Sequence, residues 1–169
     1  IPSLSTEIIE KLTKIKGVYA DKVPKRFYPN NDLGAQLLGY VGVDNKGLAG
    51  IEFEHDNQLR GKVKKIRYLR DAKGRAIKYE NLDPNKLTEE IKLSIDKDFQ
   101  SFAEKTLYEG IKKYGAESGG IGIMDVESGE ILAMANYPSF NPNFIKKNDI
   151  PFMKLPFISD PFEPGSVFK

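Results

Sequence analysis

Residues 119–137, GGIGIMDVESGEILAMANY, decide the fold. Ile121 and Ile123, then Ile131, Ala133 and Ala135, fall at the two-residue period of a half-buried strand, and Glu127–Glu130 (ESGE) between them is turn chemistry. The spacing predicts a β-hairpin. Just before it, Asp96 is placed to cap a helix with Phe99, Phe102, Ala103, Leu107, Ile111 and Tyr114 on its apolar face, and Gly115 is placed to end it. Glu90–Asp96 (EIKLSID) reads as a further strand. Helix and antiparallel strands in succession make the fold class α+β.

On the N-terminal side the texture changes at Asn81–Leu87 (NLDPNKL), where an Asp-Pro turn separates two periodic regions. A domain boundary is expected near residue 86, giving units 1–86 and 87–169. In the first unit, Leu4, Ile8, Ile9, Leu12 and Ile15 recur at helical spacing and Gly17 follows as a terminator, so a helix is expected over residues 3–16. Asn31–Gly42 (NDLGAQLLGYVG) holds a short helix opened by Asn31 or Asp32. A further helical turn or two, packing Ile51, Phe53 and Leu59, is expected from Gly47 onward, and a hairpin turning at Asp71–Gly74 (DAKG) over residues 62–80. On the C-terminal side, six of the ten prolines lie between Pro138 and Pro164 with no clear period, the pattern of a long ordered loop of the kind that lines a site.

Bulk composition narrows the chemistry. The 169 residues are 40% hydrophobic and 30% charged, ordinary for a globular chain, and no apolar run approaches a bilayer span. A net charge of +2 gives no reason to expect a polyanionic partner. Lys62–Arg75 is rich in lysine and arginine, but Tyr68 is its one aromatic, so a solvated sheet edge fits better than nucleic-acid binding. With no cysteine and one histidine, His55, disulfides, thiol nucleophiles and histidine-rich metal cages are excluded. No cofactor or metal is expected. If the chain takes part in nucleophilic chemistry, lysine or a carboxylate must act as the base.

Ser166 and Lys169 form such a pair. On a helix, residues three apart share a face, and the N–H groups at its first turn can hold an oxyanion. The pattern occurs twice, at Ser94/Lys97 and Ser166/Lys169. Taken alone, Ser166 reads more readily as a helix cap with a solvated lysine behind it.

Context adds what the pair lacks. Arg26–Pro29 (RFYP), Gly39–Gly42 (GYVG), Gly47–Glu52 (GLAGIE) with Leu59–Gly61 (LRG), Ser128–Asn143 (SGEILAMANYPSFNPN) and Phe162–Lys169 (FEPGSVFK) occur in the order seen in class B penicillin-binding proteins, and essentially the full length resembles that family. The resemblance implies a mixed pedestal domain followed by the start of a transpeptidase domain built on an antiparallel sheet with helices. It also implies a D,D-transpeptidase that cross-links peptidoglycan. Ser166 would attack a D-Ala-D-Ala stem peptide, with Lys169 taking its proton, and β-lactams would acylate the same serine. Expected partners are stem peptides, β-lactams, a membrane glycan polymerase and proteins of the division or elongation machinery, with no nucleic acid. The expected location is the periplasmic face of the bacterial inner membrane, by an anchor upstream of Ile1. The family's Ser-x-Asn and Lys-Thr-Gly motifs are expected downstream of Ser166 and none follows it here, Ser139–Asn141 lying before it, so the chain is expected to be the front of a longer enzyme. Lys154–Ser159 (KLPFIS) lacks an Asn-Arg pair found in many members.

Two other functions compete. One is a non-catalytic pedestal that binds cell-wall synthesis partners; the other is a serine β-lactamase or β-lactam sensor, against which the pedestal argues. Arg26 and Glu52, one in each of two pedestal motifs, are expected to belong to a polar network joining the pedestal to the catalytic domain.

Overall fold

The computed structural model describes residues 5–15, 17–18, 25–60, 89–161 and 165. The hairpin expected over 62–80, the boundary near 86, Ser166 and Lys169 lie outside the described residues.

The architecture is α+β. Strands β1 (Gly119–Met124) and β2 (Ile131–Tyr137) pair antiparallel with Ile121 opposite Ala135 and Ile123 opposite Ala133. The connecting turn is closed by Asp125 N–H donating to Glu130 O (2.9 Å) and Gly129 N–H donating to Asp125 O (2.9 Å), with Gly129 at φ 76°. The Asp125 carboxylate accepts the Glu127 and Ser128 N–H groups, and these bonds hold its carboxyl below the usual carboxylate range.

One face of the hairpin is covered by helix α5 (Lys97–Tyr114). Asp96 caps it as expected, Oδ1 accepting from Asp98 N (2.9 Å) and Phe99 N (3.0 Å). Gly115, at φ 64°, ends it in the left-handed conformation that a Cβ disfavours. Ala103, Leu107 and Ile111 of α5 meet Ala133 and Ala135 of β2, with Ile121, Ile123 and Tyr137 packed around them. The alanines let helix and sheet approach closely, while Leu107 and Ile111 supply the larger area, each worth about 1.5–3 kcal/mol when buried.

The expected helical face was half right. Phe99, Phe102 and Tyr114 are exposed, and Gln100 takes the place of an apolar residue at 2% exposure. The buried stripe is Gln100, Ala103, Leu107 and Ile111, and the aromatics lie off its edge. Glu90–Asp96 is not a strand either. Beside β2 it makes two bonds only, Ser94 Oγ to Ile131 O (2.7 Å) and Asp96 N–H to Leu132 O (2.9 Å). Leu132 lies two residues before Met134 and turns its carbonyl to the same open edge of β2, where Asp96 reaches it.

Among residues 5–60, α1 (Thr6–Thr13) is shorter than expected: Lys14 is its C-cap and Gly17 lies beyond it at φ 90°. Thr13 Oγ1 donates to Ile9 O (3.0 Å), a local bond of the kind that competes with helix propagation. Helix α2 (Ala35–Leu38) is opened by Gly34, not by Asn31 or Asp32, which sit in the turns before it. Helices α3 (Gly50–Glu54) and α4 (Asp56–Leu59) follow, and here Phe53 is exposed while Glu52 is buried.

Glycine explains how α2 and α3 come together. Gly39 has φ 80°, and a Cβ there would run into the Ala49 carbonyl; Gly50 has φ 58°, and a Cβ there would meet Leu37 O. A side chain at Gly47 would strike Glu52 O. The glycines of GYVG and GLAGIE therefore let main chain lie directly on main chain. Val41 and Gly47 form an isolated antiparallel bridge beside this contact.

Residues 138–161 contain a 3-10 helix (Lys147–Phe152) and a short helix α6 (Pro156–Ser159), more order than the sequence suggested. The Phe157 ring lies on the opposite face of the hairpin from α5, where Gly120 and Gly122 leave room for it. Among the described residues, no helix is long and apolar enough to cross a membrane.

Candidate functional site

The first of the Ser-x-x-Lys matches is already occupied: the Ser94 hydroxyl donates to Ile131 O, so it serves the sheet edge. His55 has a local partner, its Nδ1 lying 2.9 Å from Gln58 Oε1. The second match lies outside the described residues, but the chain that runs into it, residues 138–161, is described throughout. What holds that stretch is a polar junction with residues 26–36.

Arg26 and Glu52 pair with each other in a two-point arrangement, Nε to Oε1 at 2.8 Å and Nη2 to Oε2 at 2.9 Å, and among the described residues it is others that make the expected junction with the catalytic domain. Both belong to the 25–60 segment, so the bond crosses between α3 and the stretch before α2. The Tyr28 ring is buried beside them. Burial pushes its hydroxyl well above the ordinary tyrosine range, the Glu52 carboxylate adds to the rise, and Arg26 opposes it. Among the described residues the hydroxyl finds no hydrogen bond of good geometry.

The joining contacts come from neighbouring residues that sequence did not single out. Asn143 reads the main chain of Tyr28, accepting its N–H at Oδ1 (2.9 Å) and donating from Nδ2 to its carbonyl (2.8 Å). Gln36 is 5% exposed; its Nε2 donates to Pro138 O (2.7 Å) and Phe152 O (3.2 Å), and its Oε1 accepts from Ser139 Oγ (3.3 Å). Beside it, Ala35 forms a small apolar core with Phe140 and Met153, against which Tyr40 packs edge-on to Phe140.

A second set of bonds reaches the sheet. Gln100 satisfies both backbone groups of Met134, accepting its N–H (2.8 Å) and donating to its carbonyl (3.0 Å), much as a neighbouring strand would. Its Nε2 also donates to Glu104 Oε1 (2.8 Å), which accepts Gly34 N–H as well (2.7 Å). The chain Met134–Gln100–Glu104–Gly34 thus links β2 to the turn before α2. Burial raises the Glu104 carboxyl above the usual range, and the bonds from Gln100 and Gly34 offset only part of that. An open cleft of about 630 Å³ lies alongside, lined by Asp32, Glu104, Tyr108, Asn136, Tyr137 and Ser139 among others.

Of these residues, Arg26, Glu52 and Asn143 fall in stretches that the family resemblance had marked, while Gln36 and Glu104 carried no signal. A glutamine at a buried heptad-like position, as Gln100 is, could have been noticed because it interrupts an apolar stripe. The arrangement holds residues 138–153 against residues 28–36.

Comparison with known proteins fits both halves. Residues 2–93 match the penicillin-binding protein dimerisation domain, and residues 119–169 match the penicillin-binding protein transpeptidase domain. The chain is 39% identical over 156 residues to a probable peptidoglycan D,D-transpeptidase, PbpC, of Pseudomonas aeruginosa, covering 92% of the chain. It is 34% identical over 163 residues to the peptidoglycan D,D-transpeptidase FtsI of Escherichia coli K12, covering 96% of the chain. It spans 28% of the length of each of these relatives. Among solved structures it resembles penicillin-binding protein 3 of Mycobacterium tuberculosis in its apo form, with a TM-score of 0.66 at 29% identity over 85% of the chain and 29% of that protein. A structure of the same protein in complex with aztreonam has a TM-score of 0.66 and 28% identity, over 84% of the chain and 29% of that protein.

Proposed function

As the chain belongs to the penicillin-binding proteins that set a dimerisation domain ahead of a transpeptidase domain, we propose that the whole protein is a peptidoglycan D,D-transpeptidase working through Ser166. The observation that carries this reading is the order of the two domain matches, the second of which includes both Ser166 and Lys169. We place the boundary between the domains near residue 86.

In the reaction, Ser166 Oγ bonds to the carbonyl carbon of the penultimate D-alanine and passes its proton to the Lys169 amine. That amine must be neutral to accept it, so burial or a neighbouring positive charge has to hold it below the ordinary lysine range. The tetrahedral oxyanion is held in part by the Ser166 N–H. Collapse breaks the peptide bond, and the departing D-alanine takes a proton from Lys169. The amine of a neighbouring stem peptide then attacks the ester and forms the cross-link. A β-lactam follows the same first step, its strained amide opening without releasing a leaving group. We place the enzyme at the periplasmic face of the inner membrane, held by an N-terminal anchor and partnered by a membrane glycan polymerase.

Mass spectrometry of the whole protein after exposure to a labelled penicillin tests the assignment. An adduct on Ser166 that disappears in Ser166→Ala is expected. Wild-type protein that carries its adduct on another residue, or none at all, rules it out.

A further inference from the structure

The edge of β2 that faces away from β1 is engaged at every second residue except one. Leu132 O accepts Asp96 N–H, Met134 gives both of its backbone groups to Gln100, and Pro138 O, just past the strand, accepts from Gln36. Asn136 lies between the two glutamine contacts. In the ladder it stands opposite Gly120, two residues along from the Met134–Gly122 pair, so its N–H and carbonyl turn to the same open edge. Among the described residues neither group finds a partner, although Asn136 is only 7% exposed. Buried main-chain groups are nearly always paired. A free N–H beside a free carbonyl asks for a donor and an acceptor held together, which is what an amide supplies.

The Asn136 side chain lies beside Gly120 on the Phe157 face of the hairpin, so the cleft walled by α5 meets its main chain. At about 630 Å³ that cleft falls within the size range of small-molecule sites, and it sits where residues 30–33 meet α5 and β2. The lining sets the class of ligand. Asp32 and Glu104 oppose an anion, Lys97 and Lys105 oppose a cation, and a neutral molecule escapes both. Ser101 and Glu104 Oε2, which makes no bond among the described residues, can meet hydroxyl groups. Tyr108, 48% exposed with its ring 5.9 Å from that of Tyr137, offers an electron-rich face to the C–H groups of a saturated ring. A neutral ring bearing hydroxyls and one amide is an N-acetylated amino sugar. An extended peptide fits less well, because Gln100 and Gln36 close the edge on either side and leave room for one amide, not for a run of strand pairs.

We propose that this cleft binds an N-acetylated amino sugar, its acetamido group pairing with the Asn136 N–H and carbonyl and its ring lying against Tyr108. The site uses none of the acylation chemistry and does not rest on the transpeptidase reading, which would bring glycan strands built of such sugars to it.

Titration of the whole protein with chitotriose, three linked N-acetylglucosamine units, tests the proposal, and amide hydrogen exchange over residues 131–137 reports the place of binding. Chitotriose is expected to bind in the millimolar range or tighter and to slow exchange at Asn136. Cellotriose, which has the same rings and hydroxyls without the amides, should bind about tenfold more weakly or worse. Tyr108→Ala should weaken chitotriose by about tenfold as well. If that variant does not fold, Ser101→Trp decides in its place, since it fills the cleft from an exposed position on α5 and should abolish the slowed exchange.

No binding of chitotriose at about 10 mM overturns the proposal. So does equal binding of the two trisaccharides, or binding that leaves exchange at Asn136 unchanged and survives Tyr108→Ala or Ser101→Trp. A short acetylated peptide amide that protects Asn136 where chitotriose does not would overturn it in favour of an added strand. Penicillin enters none of these measurements, so a failed transpeptidase assignment and a failed sugar site are told apart.

Discussion

Around the β1–β2 hairpin the chain packs side chain on side chain, whereas between α2 and α3 it packs main chain on main chain. The first region is tolerant in kind. Its alanines, Leu107 and Ile111 fill a volume that other apolar residues of similar size can share. The second region is not, because Gly39, Gly47 and Gly50 are the contact, and its one buried charge, Glu52, is matched to Arg26. A short motif can therefore owe its composition to a close approach of backbone as much as to catalysis.

The largest effect is expected at Gly39. Gly39→Ala puts a methyl group into the Ala49 carbonyl at a backbone conformation that only glycine adopts easily, so a loss of more than about 3 kcal/mol is expected in urea unfolding of the whole protein. A loss below 1 kcal/mol would show that the α2–α3 contact relaxes, and the contrast with the hairpin would fail.

Next in size is Arg26→Ala, which leaves the Glu52 carboxylate buried beside the Tyr28 ring without its partner. A cost of about 2–3 kcal/mol is expected, reduced from that of a fully buried pair because the arginine is partly exposed. Thermal melts of Arg26→Ala and of Arg26→Ala with Glu52→Leu check this: the double variant should recover much of the loss, since it removes the uncompensated charge.

On the hairpin side, Ala135→Leu overfills the space under α5 and is expected to cost about 2 kcal/mol. Pairing it with Leu107→Ala should return part of that, because volume moves across the contact instead of being added. No comparable exchange rescues Gly39→Ala, and finding one would erase the distinction between the two regions.

The smallest effect sharpens the link between the regions. Glu104 in the folded protein holds its proton more tightly than it would in the unfolded chain, so its contribution favours folding below the ordinary glutamate range and is lost as pH rises through the raised folded value. Glu104→Gln keeps an oxygen acceptor for Gly34 N–H and Gln100 and removes the titration. Melting temperatures measured from about pH 4 to about pH 7 should therefore diverge in favour of the variant as pH rises. Parallel curves would mean that Glu104 is as well solvated as a surface carboxylate.

Legibility in the sequence followed the same divide. Where burial alternates along a strand or is bounded by a cap and a terminating glycine, as in β1, β2, Asp96 and Gly115, residue pattern and structure agree. Phe99, Phe102 and Tyr114 misled because a stripe of large residues says how a helix is amphipathic without saying which edge the sheet covers, and small Ala103 and polar Gln100 decided that. Glu90–Asp96 has the composition of a strand, but only two of its groups find partners on β2. The roles of Gln36, Glu104 and Asn143, the last inside a stretch the family likeness had marked, did not show because their long-range bonds run to main-chain atoms 70–116 positions away, which leave no trace in local spacing. The family likeness located the stretches that matter and left open what each residue in them does.

Asn143 carries one more implication. It grips Tyr28 only through atoms that every amino acid except proline possesses, so the two sides of that contact have unequal freedom. In a saturation library selected for growth, codon 143 should collapse to asparagine, while codon 28 should answer to the neighbouring carboxylate and ring pocket alone, accepting phenylalanine there and refusing proline.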